Sequence, residues 1–229
     1  MKSLLLIGPS NMAGRGELGS VAEIENEHIF MMRKNQWMLM KEPIHCDKDM
    51  AGIGLSASFA YEFVKKYNEP FGLIPCAVGG TRLAQWAASG ELYSAAVKCA
   101  RSAQLTSDII GILWHQGESD SAAFETAAIY EKNFMIMINA LLADLKLKNI
   151  PVIVGELGEY LNNTGKYPFK NAVNDALHKI ARDNNFIGIA SSAGLKDKGD
   201  GLHFDAQSLR SLGVRYFEIF DSYYTKLLY

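Results

Sequence analysis

Six short, mostly continuous apolar runs, spaced along the whole chain, restrict its fold more than any other feature. They cover residues 4–7, 71–78, 109–114, 151–156 and 186–190, with a weaker one at 28–32. Runs of this kind read as strands covered on both faces. Longer amphipathic stretches lie among them. Leu55, Phe59, Phe63, Val64 and Tyr67 recur every three to four residues, as one face of a helix requires. Phe134, Ile138, Leu141, Leu142 and Leu145 repeat the pattern. Val173, Ala176, Leu177 and Ile180 predict a shorter helix ending at Asn184-Asn185. Leu209, Leu212, Tyr216, Phe220, Tyr223 and Leu227 predict the last helix, with Asp205 as its N-cap. Strands alternating with helices imply βαβ units, hence an α/β chain with a parallel sheet and helices on both faces. Residues 34–53 show the least pattern and read as a loop. With no repeat or linker, residues 1–229 read as a single domain.

Composition narrows the function. Hydrophobic residues are 48% and charged residues 21% of the 229, which excludes a disordered chain. The net charge of −2 offers no basic footprint for a nucleic acid. Three cysteines without CxxC spacing fit a reducing compartment rather than a disulfide scaffold. The opening Lys2-Ser3-Leu4-Leu5-Leu6-Ile7-Gly8-Pro9 is too short for a secretory apolar region and reads as a first strand. No window approaches the length of a membrane span. The expected location is cytoplasmic, without membrane or nucleic-acid partners.

In a doubly wound sheet, chemistry gathers at the carboxyl ends of the strands. Polar, small and titratable residues concentrate at four places, three of them strand ends: residues 8–14, 79–82, 115–120 and 200–203. Ser10 is a candidate nucleophile and needs a base to take its proton. His203 is the best of the five histidines, because Asp200, three residues earlier, can fix its tautomer from the same loop. The amide of Ser10, an amide of Gly79-Gly80 and the side chain of Gln116 are candidate oxyanion donors.

Other signals weigh less. Gly14-Arg15-Gly16-Glu17-Leu18-Gly19 fits GxGxxG but does not directly follow a strand and lacks the acidic residue that dinucleotide binding needs. His45-Cys46-Asp47 lacks a second ligand pair at zinc spacing, so no metal is expected. His115 reads as structural, His28 and His178 as surface residues, and Cys76 and Cys99 as core. Trp86 is near enough to Gly79 to line a pocket. The nucleophile follows the first strand rather than sitting in a mid-sheet GxSxG, which disfavours the α/β-hydrolase type.

The four clusters together resemble those of SGNH-type esterases of the carbohydrate-esterase family 6 and sialate O-acetylesterase-like group. The matching segments are Gly8-Pro9-Ser10-Asn11-Met12-Ala13-Gly14-Arg15-Gly16, Gly79-Gly80-Thr81 with Trp86, Trp114-His115-Gln116-Gly117-Glu118-Ser119-Asp120, and Asp200-Gly201-Leu202-His203-Phe204. The resemblance implies a flavodoxin-like, three-layer α/β/α sandwich with about five parallel strands. It implies hydrolysis of O-acetyl esters on carbohydrates by Ser10, His203 and Asp200, without cofactor or metal. Asn11 and Glu118 would then hold the surrounding loops. Acetylated xylo-oligosaccharides and O-acetyl sialic acid are both compatible substrates. One departure stands out: the family's Gln before the serine is Pro9 here. Proline pushes Gly8 toward extended backbone, which a strand exit tolerates. A broad short-chain esterase or thioesterase, and a non-catalytic carbohydrate-binding relic, are the alternatives.

Overall fold

A computed structural model describes residues 1–163 and 165–228. The six apolar runs all become strands: β1 (Lys2–Ile7), β2 (Ile29–Arg33), β4 (Phe71–Pro75), β5 (Asp108–Trp114), β6 (Val152–Gly155) and β7 (Ile187–Ala190). A further strand, β3 (Gln36–Leu39), lies in the stretch expected to be a loop. It pairs antiparallel with β2 at the sheet edge, joined through Lys34 and Asn35, both at positive φ. Its mostly exposed side chains leave no apolar run to read, which is why periodicity missed it. The sheet order is β3-β2-β4-β1-β5-β6-β7, so the count among the described residues is seven strands, six of them mutually parallel, rather than about five.

The helices are α1 (Ser10–Ala13), α2 (Leu55–Tyr67), α3 (Glu91–Ala103), α4 (Phe124–Ala128), α5 (Tyr130–Asp144), α6 (Lys170–Asp183) and α7 (Ala206–Leu228). The pattern misses α3, whose buried face is mostly alanine: Tyr93, Ala96, Val97, Ala100 and Ala103. Strand alternation sorts the core into two faces. Leu5 and Ile7 of β1 pack with α3, α5 and α6, whereas Leu4 and Leu6 pack with α2 and α7. This is the three-layer arrangement. Asp205 caps α7 as expected, its Oδ1 accepting the Ser208 N–H at 2.6 Å. No helix among the described residues is long and apolar enough to cross a membrane.

The sheet order places β1 between β4 and β5, where the winding reverses. Ligands gather outside the strand ends at such a switch point. Three of the four polar clusters leave these three adjacent strands.

Candidate active site

Ser10 begins α1, one turn directly after β1, closed by the Ala13 N–H on Pro9 O at 2.9 Å. Its Oγ lies 2.9 Å from His203 Nε2. His203 Nδ1 lies 2.7 Å from Asp200 Oδ2. The loop that carries both folds back on itself, with Lys198 N–H on His203 O at 2.9 Å and Asp205 N–H on Lys196 O at 3.0 Å. Phe204 is fully buried against Tyr160 and His115, which anchors the loop beside His203. Burial alone would raise the Asp200 pKa. The His203 amide and imidazole and the Leu202 amide outweigh it and hold the carboxyl at about 2. Asp200 is therefore ionised wherever the imidazole needs a negative partner.

Asn11 ties the turn after β1 to two other loops. Its Nδ2 donates to Glu118 Oε1 at 2.5 Å and to Leu202 O at 3.2 Å, and its Oδ1 accepts the Phe204 N–H at 3.2 Å. Ser10, His203, Gly80, Glu118, Lys48 and Tyr167 line a small cleft of about 180 Å³.

Two of the sequence-predicted oxyanion donors have acceptors inside the protein: the Gly79 N–H, and one of the two N–H groups on Gln116 Nε2. Gln116 is fully buried, and its Nε2 donates to Asp120 Oδ2. Asp120 also accepts the Leu83 N–H at 2.9 Å, so Gln116 braces the loop after β5 against the turn that follows Gly79-Gly80. The Gly79 N–H donates to Asp47 Oδ2 at 2.7 Å. The Gly80 and Ser10 amides have no hydrogen-bond acceptor among the described residues and belong to cleft-lining residues.

His115 is structural in its contacts. Tyr216 has one hydroxyl proton and donates it to Trp114 O at 2.9 Å, so the 3.0 Å contact with His115 Nδ1 requires a proton on that nitrogen. Burial lowers the His115 pKa, leaving Nε2 unprotonated 3.8 Å from Glu118 Oε1. Trp86 does not line the cleft: it is buried, donates to Thr81 Oγ1 at 3.1 Å and meets Trp114 edge-on. Cys76 and Cys99 are half-buried rather than core. The Gly14–Gly19 motif opens no nucleotide helix; Gly14 ends α1 and Gly16 bridges to Ile53. Gly8 is not extended at the strand exit but lies at φ +136, and a Cβ there would meet His115 O at 2.4 Å. Sequence reasoning missed Arg15 and Asp47 as neighbours of the site. Asp47 lies in the stretch read as a loop, and no spacing rule links it to Gly79.

The model of the family described as carbohydrate esterase, sialic acid-specific acetylesterase, matches residues 1–222. A probable carbohydrate esterase of Arabidopsis thaliana is 28% identical over 235 residues, spanning 92% of this chain and 86% of the relative. The crystal structure of that Arabidopsis protein superposes with a TM-score of 0.88 at 26% identity, covering 97% of this chain and 98% of the other. A carbohydrate acetylesterase from Xanthomonas citri shares the fold, with a TM-score of 0.73 at 17% identity over 98% of this chain and 57% of its own.

Proposed function

The chain belongs to the family of carbohydrate esterases described as sialic acid-specific acetylesterases, and from that premise we propose that it removes acetyl groups from sugar hydroxyls through an acyl-serine intermediate. The observation that carries this reading is the unbroken hydrogen-bonded series from Ser10 Oγ through His203 to Asp200, opening on the cleft at the end of β1.

His203 Nε2 takes the Ser10 proton as Oγ attacks the acetyl carbonyl carbon, and Asp200 steadies the imidazolium that forms. Negative charge develops on the carbonyl oxygen, and the Ser10 and Gly80 N–H groups are the donors for it. The tetrahedral adduct then collapses. His203 returns its proton to the departing sugar oxygen, leaving acetyl on Ser10. Water, activated by the same imidazole, releases acetate. His203 carries every proton transfer and the two amides answer the oxyanion, so the reading calls for no metal or cofactor. Acetylated xylo-oligosaccharides and O-acetyl sialic acid are the two substrate classes to compare.

The test is acetate release from p-nitrophenyl acetate and from both acetylated sugars, with Ser10→Ala as the control. Losing the nucleophile should cost several orders of magnitude in kcat, on the scale of about 10⁶. Equal turnover by Ser10→Ala would sink the mechanism. An inert natural protein would favour the carbohydrate-binding relic.

A further inference from the structure

Three segments distant in sequence meet under the Gly79–Gly80 turn. Arg15 follows the nucleophile helix α1. Asp47 comes from the long connection after β3. Gly79 follows β4. Arg15 Nη2 lies 2.6 Å and Nη1 3.3 Å from the two Asp47 oxygens, a two-point pairing. The two side chains are only 1% and 2% exposed. Arg15 Nη1 also donates to Gly14 O at 2.7 Å. Asp47 Oδ2, the oxygen nearest Arg15, accepts the Gly79 N–H at 2.7 Å. The turn rests directly on the pair: a Cβ on Gly79 would lie 2.2 Å from Arg15 Nη2 and 2.9 Å from Asp47 Oδ2.

A buried ion pair of this kind is a weak source of stability, since well-packed apolar residues of similar volume usually do as well. Here it does something apolar residues cannot: it presents a fixed acceptor to one backbone N–H. Resting on the esterase reading, we propose that Arg15 and Asp47 are positioning residues of the reaction, which pin the Gly79 amide and so fix the following Gly80 amide as an oxyanion donor in register with Ser10.

Arg15 joins this acceptor to the nucleophile turn, so the donor and the attacking oxygen share one frame. Burial would raise the Asp47 pKa, but the Arg15 hydrogen bonds and charge and the Gly79 amide bring it below the ordinary range. The acceptor therefore stays ionised across neutral pH.

Two variants that differ only in the acceptor test this. Both carry Arg15→Met, which removes the buried cation; one adds Asp47→Leu, the other the nearly isosteric Asp47→Asn, whose carbonyl still accepts from Gly79. Thermal melts establish that each is folded. A complete oxyanion donor is worth about 10²–10³ in kcat, so a loosened one should cost part of that. The Leu variant should turn over p-nitrophenyl acetate at least about tenfold more slowly than the Asn variant, with KM unchanged. Equal kcat in the two folded variants overturns the proposal. A second measurement uses the natural protein and needs no activity. By hydrogen exchange, the Gly79 amide should be protected at least about a hundredfold over the Gly80 amide. Equally fast exchange of both overturns the pinning, whatever the substrate. Failure of the esterase reading shows separately, as natural protein that releases no acetate while Gly79 stays protected.

Discussion

Asn11 Nδ2 donates to Glu118 Oε1 at 2.5 Å across 107 residues of sequence. The bond joins the turn after β1 to the loop after β5, and the same Nδ2 reaches Leu202 O on the His203 loop. Ser10 thus sits beside a side chain that holds both neighbouring loops. Glu118 is almost wholly buried, and Asn11 is the hydrogen-bond donor the structure gives its carboxylate.

Asn11→Ala should therefore cost more than one hydrogen bond. It strands a buried carboxylate oxygen, at about 1–3 kcal/mol or more for a charged group. The melting temperature should fall, and kcat should fall with it as the His203 loop loosens. Asn11→Asp should be worse, because it sets two carboxylates in contact. Thermal melts and steady-state kinetics check both; an unchanged Asn11→Ala variant would leave Glu118 satisfied by another group.

Asp200→Asn should leave the fold intact and lower kcat severely, by up to about 10⁴, because the imidazole loses the partner that sets its tautomer. The Asp200 pKa is lowered to about 2, so its stabilising contribution is present above the ordinary carboxylate range and is lost as pH falls through about 2. An acid limb of the rate profile at pH 5–7 must then arise from another group. The check is the pH dependence of kcat/KM for both proteins. If Asp200→Asn is silent, Asp200 is not the acid of this site.

Sequence showed the parallel strands because burial on both faces leaves unbroken apolar runs, as in β1 and β5. It could not show β3, an exposed edge strand, or α3, whose buried face is mostly alanine. The residues at strand ends were legible for the same topological reason: Ser10, His203 and Asp200 stand at or beside connections that a doubly wound sheet brings together. What spacing does not encode is which acceptor a side-chain amide or a backbone N–H meets. Gln116 and Gly79 are near the proposed oxyanion position in sequence, yet Asp120 takes one Gln116 N–H and Asp47 takes the Gly79 N–H. Those acceptors come from a turn and a long connection whose positions only the folded chain determines.

Gln116→Ala should act on stability more than on the transition state, because the side chain is fully buried and lies outside the cleft lining. It removes a donor from buried Asp120, whose pKa burial already raises against the Leu83 and Gln116 hydrogen bonds. The expected loss is about 1–3 kcal/mol, with kcat reduced less than the 10²–10³ of a true oxyanion donor. Chemical denaturation and kcat on a small acetyl ester separate the two outcomes. A full oxyanion-sized loss with native stability would return Gln116 to the reacting centre.

His45 makes the folded protein acid-sensitive. Burial, reinforced by the Arg15 charge and opposed by Asp47, lowers its pKa to about 4. The unfolded chain takes up this proton near pH 6.5 and the folded chain only near pH 4. Stability from the neutral ring is complete above about pH 6.5 and falls as pH drops through the interval toward 4. The whole effect is on the order of 3 kcal/mol. His45→Gln should flatten this part of the stability-versus-pH curve, measured by denaturation at pH 4.5 and pH 7.5. An equal slope in both proteins assigns the acid sensitivity elsewhere.

Pro9 decides whether the departure from the family pattern alters activity or only preference. Its φ of −85 is within reach of the proline ring. Its carbonyl still closes the α1 turn on Ala13. Its missing N–H takes nothing from the proposed oxyanion donors, which are the Ser10 and Gly80 amides. The strain of the turn falls on Gly8, which packs against His115 O where a Cβ has no room. Proline therefore preserves the geometry of the Ser10 turn and changes only the cleft wall, which Pro9 helps line. Pro9→Gln should leave kcat on p-nitrophenyl acetate nearly unchanged and shift KM or preference between acetylated sugars by about tenfold or less, about 1.4 kcal/mol. It should also lower stability by about 0.4–1 kcal/mol, as the unfolded chain regains freedom. Side-by-side assays of both forms on p-nitrophenyl acetate, an acetylated xylo-oligosaccharide and O-acetyl sialic acid check this. An inert natural form, with turnover restored by Pro9→Gln, would make the chain a relic of the family and overturn the esterase reading.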